Sequence, residues 1–99
     1  MFTSMVFRGY QKYSVRILEK EWALIRWKPL SKSSIHGHAG KKCSFIVLNG
    51  SLNEKLFKSK KMIPRYHEPL RFGYVDDTMG KHQMHNKDNR PKYSFHYYR

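Results

Sequence analysis

The sequence predicts an all-β domain, a barrel or sandwich built from short strands. Three observations carry that expectation. Short stretches rich in β-branched and aromatic residues recur, such as Trp22-Ala23-Leu24-Ile25-Arg26-Trp27, Phe45-Ile46-Val47-Leu48 and Tyr93-Ser94-Phe95-His96-Tyr97-Tyr98, and these residue types fit a pleated, half-buried surface. Clusters of Gly, Pro, Asn and Asp punctuate them at short intervals. Few windows show the apolar period of an amphipathic helix.

Taken in order, residues from Met5 to Leu18 mix Tyr10, Tyr13, Val15 and Ile17 with polar positions and read as one or two strands. Glu19-Lys20-Glu21 is a charged turn into the strand Trp22 to Trp27, which ends at Lys28-Pro29 because proline lacks a ladder donor. The two strands form a hairpin, with Trp22 and Trp27 assigned to the core. Residues 30 to 42 form a long polar connection. Cys43 to Asn49 is a strand running into Asn49-Gly50, a strong type I′ signal that predicts a hairpin with Leu52 to Phe57. Lys58 to Pro69, interrupted by Pro64 and Pro69, is expected to be loop with a short strand near Met62-Ile63. Phe72 to Val75 is a strand weakened by Gly73, and Asp76 to Gly80 is turn chemistry. His82 to His85, a solvated turn over Asn86 to Lys92, and a last strand over Tyr93 to Tyr98 complete the chain.

At 99 residues, the chain is expected to be a single domain over residues 1–99 with a modest core. Twenty Lys and Arg against seven Asp and Glu give a formal net charge of +13, a field that favours anionic partners and keeps nucleic acid among them. One cysteine excludes an internal disulfide scaffold and fits a reducing compartment. No run approaches the roughly 20 apolar residues of a membrane span, and the first residues lack the apolar core of a signal peptide. A cytoplasmic monomer with no membrane association is the expectation.

Candidate chemistry concentrates in Ser33 to Gly50. His36 and His38, two residues apart, put both imidazoles on one face of an extended segment, which is metal-ligand spacing. A third ligand would come from His67, His82, His85 or His96. His82 stands out because it follows the Gly80 turn and opens a strand. Bland alternatives compete: a lone His in a basic protein is usually solvated, a lone cysteine is usually a small buried hydrophobe, and the lysine runs are solvated faces.

The spacing of His36-x-His38, Cys43 and Gly50 resembles the first cupin motif, with Cys43 where many cupins carry a glutamate ligand. That substitution, the flanking Ser33-Ser34-Ile35 and Gly50-Ser51-Leu52-Asn53-Glu54-Lys55-Leu56-Phe57, the segment Tyr74-Val75-Asp76-Asp77-Thr78-Met79-Gly80-Lys81-His82, and the closing Ser94-Phe95-His96-Tyr97-Tyr98 are together similar to the cysteine dioxygenase family. The resemblance covers roughly residues 10 to 98. It implies a cupin-like double-stranded β-helix (jelly-roll) barrel, Fe(II) bound by His36, His38 and His82, and a thioether crosslink between Cys43 and Tyr98. It also implies an outer-sphere chain of Ser94, His96 and Tyr98, with His96 hydrogen-bonded to Tyr98. The activity implied is addition of O2 to the sulfur of L-cysteine, giving cysteine sulfinate. Three neutral imidazoles leave the ion its full charge, which favours a substrate thiolate.

Two features depart from the family pattern. The family holds the substrate carboxylate with an arginine two residues after a tyrosine, whereas Tyr10-Gln11-Lys12 puts lysine there and the next arginine is Arg16. Positions 12 and 16 share a strand face, so Lys12 and Arg16 both stand as candidates, and another small thiol carboxylate stands beside cysteine as substrate. The chain also reads as a member shortened at both ends. A small basic β-barrel that binds nucleic acid and an inactive cupin fragment are the competing expectations.

Overall fold

Alternation along each strand sets the architecture. The computed structural model describes residues 2–7, 9–37 and 40–99. Ten strands form among the described residues: β1 (Phe2–Phe7), β2 (Tyr10–Ile17), β3 (Lys20–Trp27), β4 (Ser31–Lys32), β5 (Cys43–Val47), β6 (Leu52–Lys58), β7 (Lys61–His67), β8 (Phe72–Val75), β9 (Lys81–Asn86) and β10 (Lys92–Tyr98). A single 3-10 turn spans Asp77–Met79, and no α-helix forms among the described residues. The strands make a six-stranded sheet in the order β1-β2-β3-β10-β5-β8 and a four-stranded sheet in the order β4-β9-β6-β7. Every strand pair is antiparallel, and the two sheets are not closed into one barrel.

The apolar core lies between the sheets. The larger sheet contributes Ile25, Trp27, Cys43, Phe45, Val47 and Val75, and the smaller contributes Leu52, Leu56 and Met84. Strict alternation carries these side chains inward, as in β3, where Glu21, Ala23, Ile25 and Trp27 are buried and the residues between them are only half-buried. The same alternation brings polar groups inside, among them Glu54, His82, Ser94 and His96. Gly73 gives Phe45 its place: a Cβ there would stand 2.4 Å from the Phe45 ring.

Four expectations are corrected. Asn49-Gly50 does not join β5 to β6 as a hairpin, because β5 belongs to the larger sheet and β6 to the smaller. Val47 and Leu52 are both completely buried on opposite walls of the core. Asn49 fixes the corner between them, accepting from the Tyr93 amide at 2.7 Å and donating to the Pro91 carbonyl. Secondly, residues 61 to 67 form a full strand despite Pro64. β7 is an edge strand, so the donor that proline lacks is not required. Thirdly, the β2–β3 turn sits at Leu18 and Glu19, both at positive φ (49° and 66°), which leaves Lys20 and Glu21 in the strand. Lastly, Trp22 lies on the face opposite Trp27 and stacks on Tyr97 at 5.3 Å, outside the core cluster. The two-residue strand β4 falls within the stretch expected to be loop.

Candidate metal and thiol site

β9 is paired on one side with β6 and meets the 33–36 segment on the other, which brings His36 opposite His82. The two residues exchange both backbone hydrogen bonds, each at 2.9 Å, so their side chains leave the sheet on the same face. The Nε2 atoms stand 3.1 Å apart, with the rings edge to face. Each ring is held from its far side. His36 Nδ1 lies 3.0 Å from the Ser34 carbonyl, and His82 Nδ1 lies 2.6 Å from Glu54 Oε2.

Those partners fix the tautomers. A carbonyl oxygen and an ionised carboxylate only accept, so both Nδ1 atoms must donate. Glu54 is ionised: burial alone would raise its pKa, but hydrogen bonds from His67 and His82 and the charge of Arg65 hold it far below the usual carboxylate range. Burial pushes the pKa of His36 down, which keeps its imidazole neutral at neutral pH. With each Nδ1 turned to an acceptor, the two Nε2 atoms are the positions that face each other across the cavity wall, and a cation between them would take a lone pair from each. Two nitrogens bound to one ion at about 2.1 Å each would stand about 3.0 Å apart at a right angle and about 3.4 Å at a tetrahedral angle. The observed separation of 3.1 Å falls between these values. The donor set therefore fits a metal ion.

Among the described residues, no group of three or more His, Cys, Asp and Glu is arranged to hold a metal. His36 and His82 supply two nitrogens. His38, the third expected ligand, lies outside the described residues. The loop carrying His36 is tied to the 3-10 turn by a 2.5 Å bond from the Gly40 amide to Asp77 Oδ2.

A second cluster occupies the larger sheet. β10 places Ser94, His96 and Tyr98 on its inward face and pairs with β5 so that Tyr98 lies opposite Cys43 and His96 opposite Phe45. Cys43 Sγ is 3.5 Å from His96 Nδ1, and the Tyr98 phenol hydrogen-bonds to the same sulfur. His96 Nε2 is 2.6 Å from Ser94 Oγ, which accepts from Trp27 Nε1 at 2.8 Å. The His96 and Tyr98 rings lie nearly parallel, 6.0 Å apart. Burial pushes the Cys43 thiol up to about 12 despite the Tyr98 hydrogen bond, and burial together with Cys43 and Glu21 raises Tyr98 well above its ordinary value. Both groups hold their protons at neutral pH.

Lys12 and Arg16 converge on Glu21, with Lys12 Nζ 3.2 Å from Oε2 and Arg16 Nη2 3.6 Å from Oε1. Their surroundings differ. Lys12 is 19% exposed and sits 4.4 Å over the Tyr98 ring, whereas Arg16 is 63% exposed at the outer end of β2. All the described site residues except Ser94 line one cavity of about 330 Å³, namely Lys12, Arg16, His36, Cys43, His82, His96 and Tyr98, and Glu21 joins them. That volume is at the small end of ligand-binding cavities.

Sequence reasoning missed Glu21, Glu54 and Arg65, and weighed His67 only as a candidate metal ligand, whereas the structure places it against Glu54. A signal existed for each carboxylate. Glu54 interrupts the inward series Leu52, Glu54, Leu56, and Glu21 heads the inward series that ends at Trp27. A carboxylate at an apolar position of a strand needs buried partners.

Comparison with known proteins adds an independent line. Residues 16–99 match the family model described as Cysteine dioxygenase type I. Cysteine dioxygenase type 1 of Rattus norvegicus is 32% identical over 104 residues, covering 96% of this chain and 48% of the relative. The Homo sapiens protein of that name is 31% identical over the same length and shares. The chain thus spans about half the length of the curated relatives it matches. Among solved structures, an oxalate oxidase superposes with a TM-score of 0.77 at 16% identity, covering 91% of this chain and 50% of that one. A Bacillus subtilis oxalate decarboxylase mutant gives 0.80 at 12% identity, covering 98% and 27%. The Drosophila melanogaster CENP-C cumin domain gives 0.77 at 15%, covering 100% and 72%. At these identities the superpositions establish the cupin fold alone.

Proposed function

We propose, from the premise that the chain belongs to the cysteine dioxygenase type I family, that it is a non-haem Fe(II) thiol dioxygenase acting on L-cysteine. The observation that supports this most is the pair of Nε2 atoms of His36 and His82, 3.1 Å apart at the wall of the cavity that also holds Cys43 and Tyr98. His36, His38 and His82 would hold the ion, and residues 1–99 would act as a single cupin-like domain. When bound, Fe(II) would supply the one-electron chemistry that lets a thiol and O2 combine. The net reaction balances as RSH + O2 giving RSO2H, with both oxygen atoms retained and sulfur as the reductant.

The chain's own residues bind and orient the substrate. Lys12, inside the cavity and beside Tyr98, meets the substrate carboxylate in place of the family's arginine. Glu21 keeps its carboxyl ionised, because Lys12 and its hydrogen bonds outweigh the effect of burial, and it therefore competes for the same ammonium. As a point charge rather than a planar fork, Lys12 tolerates more than one carboxylate orientation. Arg16 lies farther out and contributes charge at the mouth. Trp27 anchors Ser94, Ser94 anchors His96, and His96 faces Cys43, so the thiol and the Tyr98 phenol are held against each other. The family's thioether would join these two groups with loss of two hydrogens to O2 as oxidant.

The test is oxygen uptake with sulfinate analysis after loading the protein with Fe(II) and adding L-cysteine in air. Uptake matched by cysteine sulfinate is expected, and it should vanish in His82→Ala. Retained iron with no sulfinate from cysteine or related thiols would overturn the dioxygenase assignment.

A further inference from the structure

Glu54 is 1% exposed, with its carboxylate inside the four-stranded sheet beside the cavity. The register explains its reach. Glu54 pairs directly with Arg65 on β7 and with Met84 on β9, which makes His67 and His82 its diagonal neighbours on the inward face. Its two oxygens divide the work. Oε1 accepts from Arg65 Nε at 2.7 Å and from His67 Nε2 at 2.8 Å, with Arg65 Nη2 in ion-pair contact at 2.6 Å, whereas Oε2 faces His82 Nδ1 at 2.6 Å. Arg65 is braced in turn by a 2.9 Å bond to the Tyr74 carbonyl in the opposite sheet. One oxygen is clamped, so the other is aimed.

A purely structural role accounts poorly for this arrangement. Buried ion pairs are generally no more stabilising than apolar residues of similar volume, and an apolar residue would continue the series formed by Leu52 and Leu56. The carboxylate does something no apolar residue can, since it keeps the His82 proton on Nδ1 and directs Nε2 toward His36. We propose that Glu54 is a positioning residue for His82 as a metal ligand, with Arg65 and His67 holding its carboxylate in place. This rests on the iron reading given above and extends it to a residue outside the ligand set. Groups that orient a ligating imidazole through its second nitrogen typically matter about 10- to 100-fold in metal affinity.

The isosteric Glu54→Gln separates this role from packing. Arg65 and His67 both present donors, so the amide oxygen must turn to them and the NH2 group must face His82. His82 can then only accept at Nδ1, which places its proton on Nε2 and turns the metal-binding lone pair away from the cavity. The experiment measures imidazole 15N shifts of His82 in the metal-free protein, Fe(II) affinity under anaerobic conditions, and the melting midpoint, for wild type, Glu54→Gln and Leu52→Ala. The wild type is expected to show the Nδ1–H tautomer. Glu54→Gln should show Nε2–H with Fe(II) affinity lowered about 10- to 100-fold. Leu52→Ala should lower the melting midpoint without changing the tautomer.

An Nε2–H tautomer of His82 in the wild type would overturn the proposal without any variant, should Glu54→Gln fail to fold. So would Fe(II) affinity in Glu54→Gln equal to wild type. A wild type that binds no Fe(II) at all would overturn the iron reading itself, a result distinct from either.

Discussion

Residue by residue, the site pairs groups whose environments push them toward one protonation state. Cys43 is the clearest case, with burial carrying its thiol from 9.0 to about 12. The sign follows from linkage: between those values the unfolded chain loses the proton and the folded chain keeps it, so stability falls as pH rises above 9.0. Tyr98, also raised, acts in the same direction at higher pH. Chemical denaturation followed from pH 8 to pH 11 should show a decline approaching about 1.4 kcal/mol per pH unit, and Cys43→Ala should flatten much of it. For Lys12, loss of a charge-assisted contact to carboxylate corresponds to a rise of about 10- to 100-fold in KM for cysteine. Lys12→Ala should show that rise with kcat less affected, while Arg16→Ala should move KM far less; equal effects of the two would place the carboxylate nearer the mouth. The shared faces of Ser94, His96 and Tyr98 and of Cys43, Phe45 and Val47 were legible from spacing, because a strand's period of two assigns faces without knowledge of the partner strand. The roles of these residues rested on the family resemblance. Glu54 and Glu21 were not legible, because their meaning depends on neighbours about 10 to 30 residues away in the sequence that only pairing brings together.

At the scale of the element, β9 does the positioning. Asp76 caps the 3-10 turn by accepting from the Thr78 amide, and Gly80 then turns the chain at φ 101° directly into the strand. A Cβ on Gly80 would stand 2.2 Å from the Phe57 carbonyl oxygen, a backbone atom that cannot step aside. Gly80→Ala should therefore cost about 1–3 kcal/mol from strain and displacement. It should also weaken Fe(II) binding, because His82 is two residues on. Thermal melts and anaerobic Fe(II) titration would show both effects, and intact metal affinity in a destabilised Gly80→Ala would argue that β9 is held by its neighbours rather than by this turn. Strand locations were readable for the same reason as faces, whereas strand partners were not. Asn49-Gly50 carries the composition of a tight hairpin, yet the apolar residues on either side are drawn into opposite walls of the core, and tertiary burial overrides the local turn preference. Pro64 misled in the opposite direction, since proline excludes a central strand but not an edge strand such as β7.

Over the whole molecule, two sheets with polar groups on their inner faces are tied across the core. Arg65 reaches from β7 to the Tyr74 carbonyl of β8, and Asn86 of β9 donates to the Lys28 carbonyl beyond the end of β3. Glu54 anchors the first of these ties. Its depressed pKa gives a contribution to stability that is fully present above the unfolded value of 4.5 and is lost as pH falls below it. Acid unfolding should therefore begin below about pH 4.5 and be shifted in Glu54→Gln, as followed by tryptophan fluorescence of Trp22 and Trp27. No helix among the described residues is long and apolar enough to cross a membrane. The net charge of +13 spreads over a small surface, so added salt should raise the melting midpoint by screening self-repulsion.

An iron held by His36, His38 and His82 that joins O2 to a substrate thiol would leave both oxygen atoms in the product, which can be read by supplying the Fe(II)-loaded chain with L-cysteine under 18O2 and weighing what forms. Cysteine sulfinate carrying two 18O atoms is expected from the wild type and none from His82→Ala. Cystine as the sole oxidised product, or sulfinate formed equally well by His82→Ala, would contradict that role for the iron.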